Sequence, residues 1–233
     1  MNNEQLKEYV IKNMYGWWGG QGHCATVLGC IIEQNDVGNH LEIGTLFGAT
    51  AIYAGLIMER EGINGIVYTV DPCLYETHEY CSRVAGNLSP DIVKHQSEII
   101  YENIKKFELE NRIVFINKSS NPIPEELLGV EFNSCFIDGF HYSGMPLIDT
   151  KNCVELFNMK HIILDDTHYR YPDVIKALKY LIGLKNWGMS VSYQNTSAFH
   201  RIIYKEPSME ISISAPMDKT KLNWPDFMEK EIA

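Results

Sequence analysis

Apolar and polar positions in this chain follow two periods that take turns along its length. Short apolar runs rich in β-branched residues read as strands: HLEIGT (40–45), GIVYTVDP (65–72), RIVFINKSS (112–120), SCFIDGFHY (134–142) and HIILDDTHY (161–169). Longer stretches between them read as helices: AIYAGLIMEREG (51–62), VKHQSEIIYENIKKFELEN (93–111), SGMPLIDTKNCVELFNM (143–159) and PDVIKALKYLIGL (172–184). In the second of these Ile99, Ile100, Ile104 and Phe107 share one helical face, and Pro146 sits in the first turn of the third, where a missing N–H costs little. NPIPEELLG is a turn with a short helix, and GMSVSYQNTS and FHRIIYKE close the series as two strands around a tight polar turn. Ahead of it all, residues 4–14 place Leu6, Tyr9, Val10 and Asn13 at helical spacing, and residues 24–35 read as a second helix. Between these two lies GWWGGQGHC, either a lid over a ligand or a plain loop whose tryptophans cap the core.

Strand and helix thus alternate five times before a closing hairpin. Such alternation makes an α/β, doubly wound, mainly parallel sheet with helices on both faces, and ligands bind outside the carboxyl ends of its strands. Asp71, Asp138, Asp165 and Asp166 all fall at such ends.

Composition narrows the picture. With 233 residues, 45% of them hydrophobic, one sizeable core is expected, so residues 1–233 are read as a single domain. Residues 1–37 supply the N-terminal helices and the stretch read as lid or plain loop, 38–206 the core and 207–233 a tail with no clear period. Thirty acidic residues against 20 basic ones give a net charge of −10, which opposes nucleic acid and anionic membrane surfaces as partners. No basic start with an apolar core and no apolar span of membrane length is present, so a cytoplasmic location is expected. The six cysteines are scattered without a CxxC pair and read as reduced structural thiols.

The candidate chemistry begins at the first strand. Glu42, Gly44, Gly48 and Thr50 form E-x-G-x-x-x-G-x-T, whose spacing differs from the G-x-G-x-x-G dinucleotide fingerprint. A glycine turn between strand and helix lets a ligand approach bare backbone at the helix N-terminus. Asp71 ends the second strand 27 residues after Gly44, where a carboxylate can accept hydrogen bonds from ribose hydroxyls. This pattern resembles motif I of class I S-adenosylmethionine-dependent methyltransferases, over roughly residues 38–205. The resemblance implies a Rossmann-like sheet of seven strands with an antiparallel C-terminal hairpin. It also implies a cofactor set of Glu42, Gly44, Thr45, Gly48, Thr50, Asp71, Ser119, Ser120 and Asp138, in which Glu42 helps to hold the methionine ammonium and the two serines lie toward the adenine.

FIDGFHY, ILDD and YPDVIKAL carry a second resemblance, to the metal-dependent O-methyltransferases of the catechol type and those acting on macrolide or aminocoumarin sugars. That likeness implies metal ligation by Asp138, Asp165 and Asp166. Three carboxylates brought to one sheet edge repel and take up protons unless a cation neutralises them, and hard oxygen ligands with open positions select Mg²⁺, or Mn²⁺ in its place. His141 is the first candidate for the base that takes the acceptor's proton, beside Asp138; His168 is the second. The expected partner is a small hydroxylated acceptor, a sugar or a phenol-like molecule, and the N-terminal helix and tail suit a homodimer. FNMKHIIL stands where relatives often carry Gly-Gly before the fifth strand, a difference in a turn. Two other readings stay open at this stage: a metal-free N- or O-methyltransferase relying on His141 or His168, and a non-catalytic module that binds a nucleotide-containing ligand.

Overall fold

The computed structural model describes residues 1–16, 18, 22–34, 38–74, 95–193 and 195–201. Expectations for Trp17, most of the connection after Asp71, and the tail 207–233 lie outside the described residues.

Helix α1 (Asn3–Asn13) starts where Asn2 caps it: the Asn2 side chain accepts from the Gln5 N–H, and the Gln5 side chain accepts from the Asn2 N–H. Leu6 and Val10, one turn apart, are its buried face. Helix α2 (Ala25–Gln34) follows, then β1 (Asn39–Ile43), α3 (Ala49–Arg60), β2 (Val67–Val70), α4 (Gln96–Lys106), β3 (Ile113–Ile116) and β4 (Phe132–Ile137). Helix α5 (Met145–Lys151) runs into a π-helical turn at Asn152–Leu156, then come β5 (His161–Leu164), α6 (Pro172–Gly183), β6 (Trp187–Tyr193) and β7 (Thr196–Arg201). Pro146 and Pro172 occupy first turns of α5 and α6, as their missing N–H groups allow.

The seven strands form one sheet in the order β3-β2-β1-β4-β5-β7-β6. β1 to β5 are parallel, while β7 inserts antiparallel between β5 and β6. The expected α/β sheet with its antiparallel C-terminal hairpin is therefore observed. Strand alternation splits the core in two. Phe136 and Ile163 face a layer built from α1 to α4, with Val10, Leu28, Ile52 and Ile100. Cys135, Ile137, Ile162 and Leu164 face α5 and α6, with Cys153, Ala177 and Leu181. The strand order reverses at β1 and β4, and the crevice outside their carboxyl ends is where a doubly wound sheet binds ligand. No helix among the described residues is long and apolar enough to cross a membrane.

Candidate cofactor and acid site

The parallel ladder runs through the predicted acids. Asp71 N–H donates to Ile116 O (3.2 Å), Asp138 N–H to Ile43 O (2.8 Å) and Asp165 N–H to Ile137 O (3.0 Å), so each acid stands at the last rung of its strand. Glu42 lies in β1, opposite Thr69 on one side and Phe136 on the other.

The turn from β1 into α3 uses positive φ three times, at Gly44 (95°), Leu46 (50°) and Gly48 (86°). At Gly44 glycine is required twice over, since a Cβ there would stand 2.3 Å from the Asp138 carbonyl oxygen. β1 and β4 meet backbone to backbone at this point, which puts the glycine turn and the acid edge in direct contact. Gly48 is the left-handed cap of α3 and has no close neighbour; its reason is φ alone.

The N–H groups of the turn are not left pointing outward. Asp71 Oδ2 accepts from Thr45 N–H (2.9 Å) and Leu46 N–H (3.0 Å), and Oδ1 accepts from Cys73 N–H (2.7 Å). Asp71 therefore holds the turn as well as offering its remaining lone pairs to a ribose. Thr45 bonds through its hydroxyl to that of Thr69 (2.5 Å), and Thr69 donates to Glu42 Oε2. Glu42 Oε1 is buried with no protein partner, and burial, only partly offset by Thr69, holds its carboxyl well above the usual range. An enclosed acceptor of this kind fits a cationic donor such as the ammonium group of a methionine moiety. Thr50 turns away to the N-terminal layer, where its hydroxyl accepts from Trp18 Nε1–H (2.9 Å). That contact places Trp18 in the core, as in the plain-loop reading of GWWGGQGHC. Ser119 is exposed and Ser120 half-buried after β3, and Ser120 works against the burial that raises the Asp149 carboxyl of α5.

Asp138, His141 and Asp166 come together, one ligand atom of each lying within 4.8 Å of the others. His141 Nε2 is 3.4 Å from Asp138 Oδ1 and 3.0 Å from Asp166 Oδ2, within ion-pair reach of both but aligned on neither. Burial pulls this imidazole down, but the two carboxylates outweigh it and push it up to about 9. Burial raises the Asp138 carboxyl, which His141 opposes and the Asp166 charge reinforces. His141 also stacks on Tyr171, with ring centroids 4.6 Å apart. Asp166 sits at φ 50°, a left-handed conformation that aspartate tolerates and that re-aims its side chain away from that of Asp165.

The expected grouping of Asp138, Asp165 and Asp166 differs from this one in a single member. Asp165 Oδ1 accepts from Thr196 Oγ1 on β7 (2.5 Å) and lines the same cavity as Asp138 and His141, the latter being the third member of the cluster. Burial first, and the Asp138 charge second, push the Asp165 carboxyl up to about 7. His168 stays apart from the cluster: its Nδ1 accepts from Arg170 N–H (3.1 Å) and its ring lies on Tyr169, centroids 4.2 Å apart. The cluster is open to solvent, with about a third of the Asp138 side chain exposed (34%), so a cation can reach it. The two carboxylates supply hard oxygen ligands of the kind Mg²⁺ or Mn²⁺ takes, with further positions open, whereas an imidazole nitrogen is not a ligand that selects either ion.

Thr69, Gln96, Asn103 and Asp149 are functional-site neighbours that the sequence does not announce. Thr69 alone had a signal, being register-paired with Glu42 once β1 and β2 are adjacent.

No protein-family model matches the chain, and comparison with curated proteins gives no match. Solved structures do share its fold. The O-methyltransferase from Bacillus cereus in complex with SAH superposes with a TM-score of 0.57 at 15% identity, covering 86% of this chain and 92% of that one. The SAH-bound methyltransferase of Podospora anserina gives 0.56 at 12% identity, covering 85% and 94%. The O-methyltransferase TomG from Streptomyces achromogenes, involved in tomaymycin synthesis and solved with SAM, gives 0.52 at 12%, covering 86% and 91%. This chain has the Rossmann-like fold of those methyltransferases.

Proposed function

We propose that this chain is an S-adenosylmethionine-dependent O-methyltransferase that acts on a small hydroxylated acceptor, a sugar or a phenol-like molecule, with a divalent cation at its acid cluster. The observation that carries the reading is the contact between the glycine turn and the acid edge, Gly44 against Asp138, which puts a methyl-donor site beside a group of cation ligands. The fold shared with SAM- and SAH-bound methyltransferases supports it.

On this reading Glu42 meets the ammonium of the cofactor through its free Oε1, and Asp71 accepts from the ribose while it fixes the turn. Asp138 and Asp166 would hold the cation, with Asp165 beside them and His141 left as the base. Bound there, a divalent cation supplies positive charge that lowers the pKa of an acceptor hydroxyl and helps to orient it. His141 Nε2 is the nitrogen placed to receive the hydroxyl proton, and it does so only when neutral. Asp138 and Asp166, which raise it to about 9, therefore control its use as a base.

Isothermal titration with SAH tests the cofactor half; absence of binding with and without Mg²⁺ sinks it. Methyl transfer to hydroxylated sugars and phenols, assayed before and after EDTA, tests the rest. Activity unchanged by EDTA removes the cation and leaves a metal-free methyltransferase.

A further inference from the structure

The N-terminal GWWGGQG stretch has no role in the chemistry above, yet its described residues touch the glycine turn at several points. Gly16, at φ 90°, lies so close to the turn that a Cβ would stand 2.7 Å from the Phe47 ring. Asn103 of α4, fully buried, bridges the two segments: its Nδ2 donates to Tyr15 O (2.8 Å) and Phe47 O (2.8 Å), and its Oδ1 accepts from Tyr15 N–H (2.7 Å). Trp18 donates from its indole to Thr50 in the first turn of α3, and Gly22, at φ 71°, packs 3.1 Å from the Trp18 ring by the same measure.

The turn needs such support. Leu46 is a bulky residue at φ 50°, a conformation that costs an L-residue on the order of 1 kcal/mol. Its N–H is held by Asp71 and its carbonyl accepts from Gln96 Nε2–H (2.8 Å), while the next carbonyl, that of Phe47, is the one Asn103 holds. A strained turn persists when its surroundings over-determine it, and two of the three residues holding it, Gln96 and Asn103, lie outside the sheet on α4.

We propose that Trp18 and Asn103 are positioning residues of the cofactor site, which make the N-terminal segment a brace that holds the strained turn in its ligand-ready form. The affinity consequence rests on the cofactor reading above; the coupling between the segments does not. The brace accounts for glycine at 16 and 22 and for an indole at 18.

The test compares Trp18→Phe, which keeps the ring and removes the donor, and Asn103→Ala with Ile104→Val. The last is a conservative cavity on the same helix at a core side chain that makes no hydrogen bond to the turn. Hydrogen exchange of the ligand-free protein reports the coupling: peptides covering 44–52 exchange at least about threefold faster in Trp18→Phe and Asn103→Ala and unchanged in Ile104→Val. SAH titration reports the consequence, with Kd raised about 3- to 10-fold in Trp18→Phe and about 10-fold or more in Asn103→Ala, again unchanged in Ile104→Val, and kcat at saturating cofactor retained. Exchange over 44–52 equal to wild type in both variants overturns the brace. Faster exchange with unchanged SAH affinity overturns the positioning role. Failure of the wild type to bind SAH removes the cofactor reading, and the exchange result then decides the brace by itself.

Discussion

At the scale of single residues, Glu42 and Asp138 make opposite demands on their surroundings. Glu42 is enclosed, with one oxygen taking the Thr69 hydroxyl and the other making no hydrogen bond, so its charge is costly until a ligand arrives. Glu42→Gln removes that charge and keeps an acceptor for Thr69. The expected outcome is a ligand-free protein stabilised by about 1 kcal/mol, roughly 2–4 °C in Tm, while SAH affinity falls about 10- to 100-fold through loss of a charge-assisted bond. Calorimetry and titration on the same preparation check both signs. Asp138 is half-buried and faces His141 and Asp166, and on the proposed reading its substitution bears on the acceptor half of the reaction. Asp138→Asn is expected to lower cation-dependent turnover by more than about 100-fold, above what outer-shell partners cost, with SAH binding retained; steady-state rates across a Mg²⁺ series decide it. Glu42, Asp71, Asp138 and Asp166 were legible in the sequence because each closes or precedes the end of an apolar run. The bond of Asp165 to Thr196 was not legible, since it depends on where β7 lies, and the contact of His141 with Asp166 required β5 to pair with β4.

At the scale of elements, the site depends on the contact between two strand ends. Gly44 is where the turn leaves β1, and its Cα lies against the Asp138–Gly139 backbone of β4. Gly44→Ala imposes a positive φ on an L-residue and drives a methyl group into a carbonyl, so a loss of about 3 kcal/mol or more in urea unfolding is expected. Gly62→Ala is the comparison: φ is 65° but nothing lies within 4 Å, so only the backbone cost remains, on the order of 1 kcal/mol. The sequence pattern marked Gly44 as a turn residue and left Gly62 at the end of a helical stretch. It could not separate a glycine needed for its φ from one needed for a neighbouring strand, because the neighbour is distant in the chain.

At the scale of the whole molecule, the packing of helices on both faces buries titratable groups whose effects reach global stability. His40, wholly buried and 2.7 Å from the Ser134 hydroxyl, is driven down to about 3 by burial. Its unfolded form titrates at the ordinary 6.5, so between 6.5 and about 3 the unfolded chain binds more protons, and the His40 contribution is lost as pH falls through that window. Asp149 acts in the other sense. Burial raises it to about 6 from 3.8, so its contribution is complete below 3.8 and is lost as pH rises through 6. His40→Gln is therefore expected to gain on wild type progressively as pH is lowered from 6.5 to 4.5, and Asp149→Asn to gain on it as pH is raised from 4 to 7; urea midpoints across the range measure both differences. What the sequence determined by itself is the alternation of elements, the α/β class and the acids at strand ends, because hydrophobic period and turn chemistry are local properties. Only the tertiary structure decided which residues meet: Gly44 against Asp138, His141 between two carboxylates, Asp165 held by the hairpin, and an N-terminal segment fastened to the glycine turn through Asn103. Those meetings join residues far apart in sequence, and they follow from strand order, register and the layer in which each helix packs.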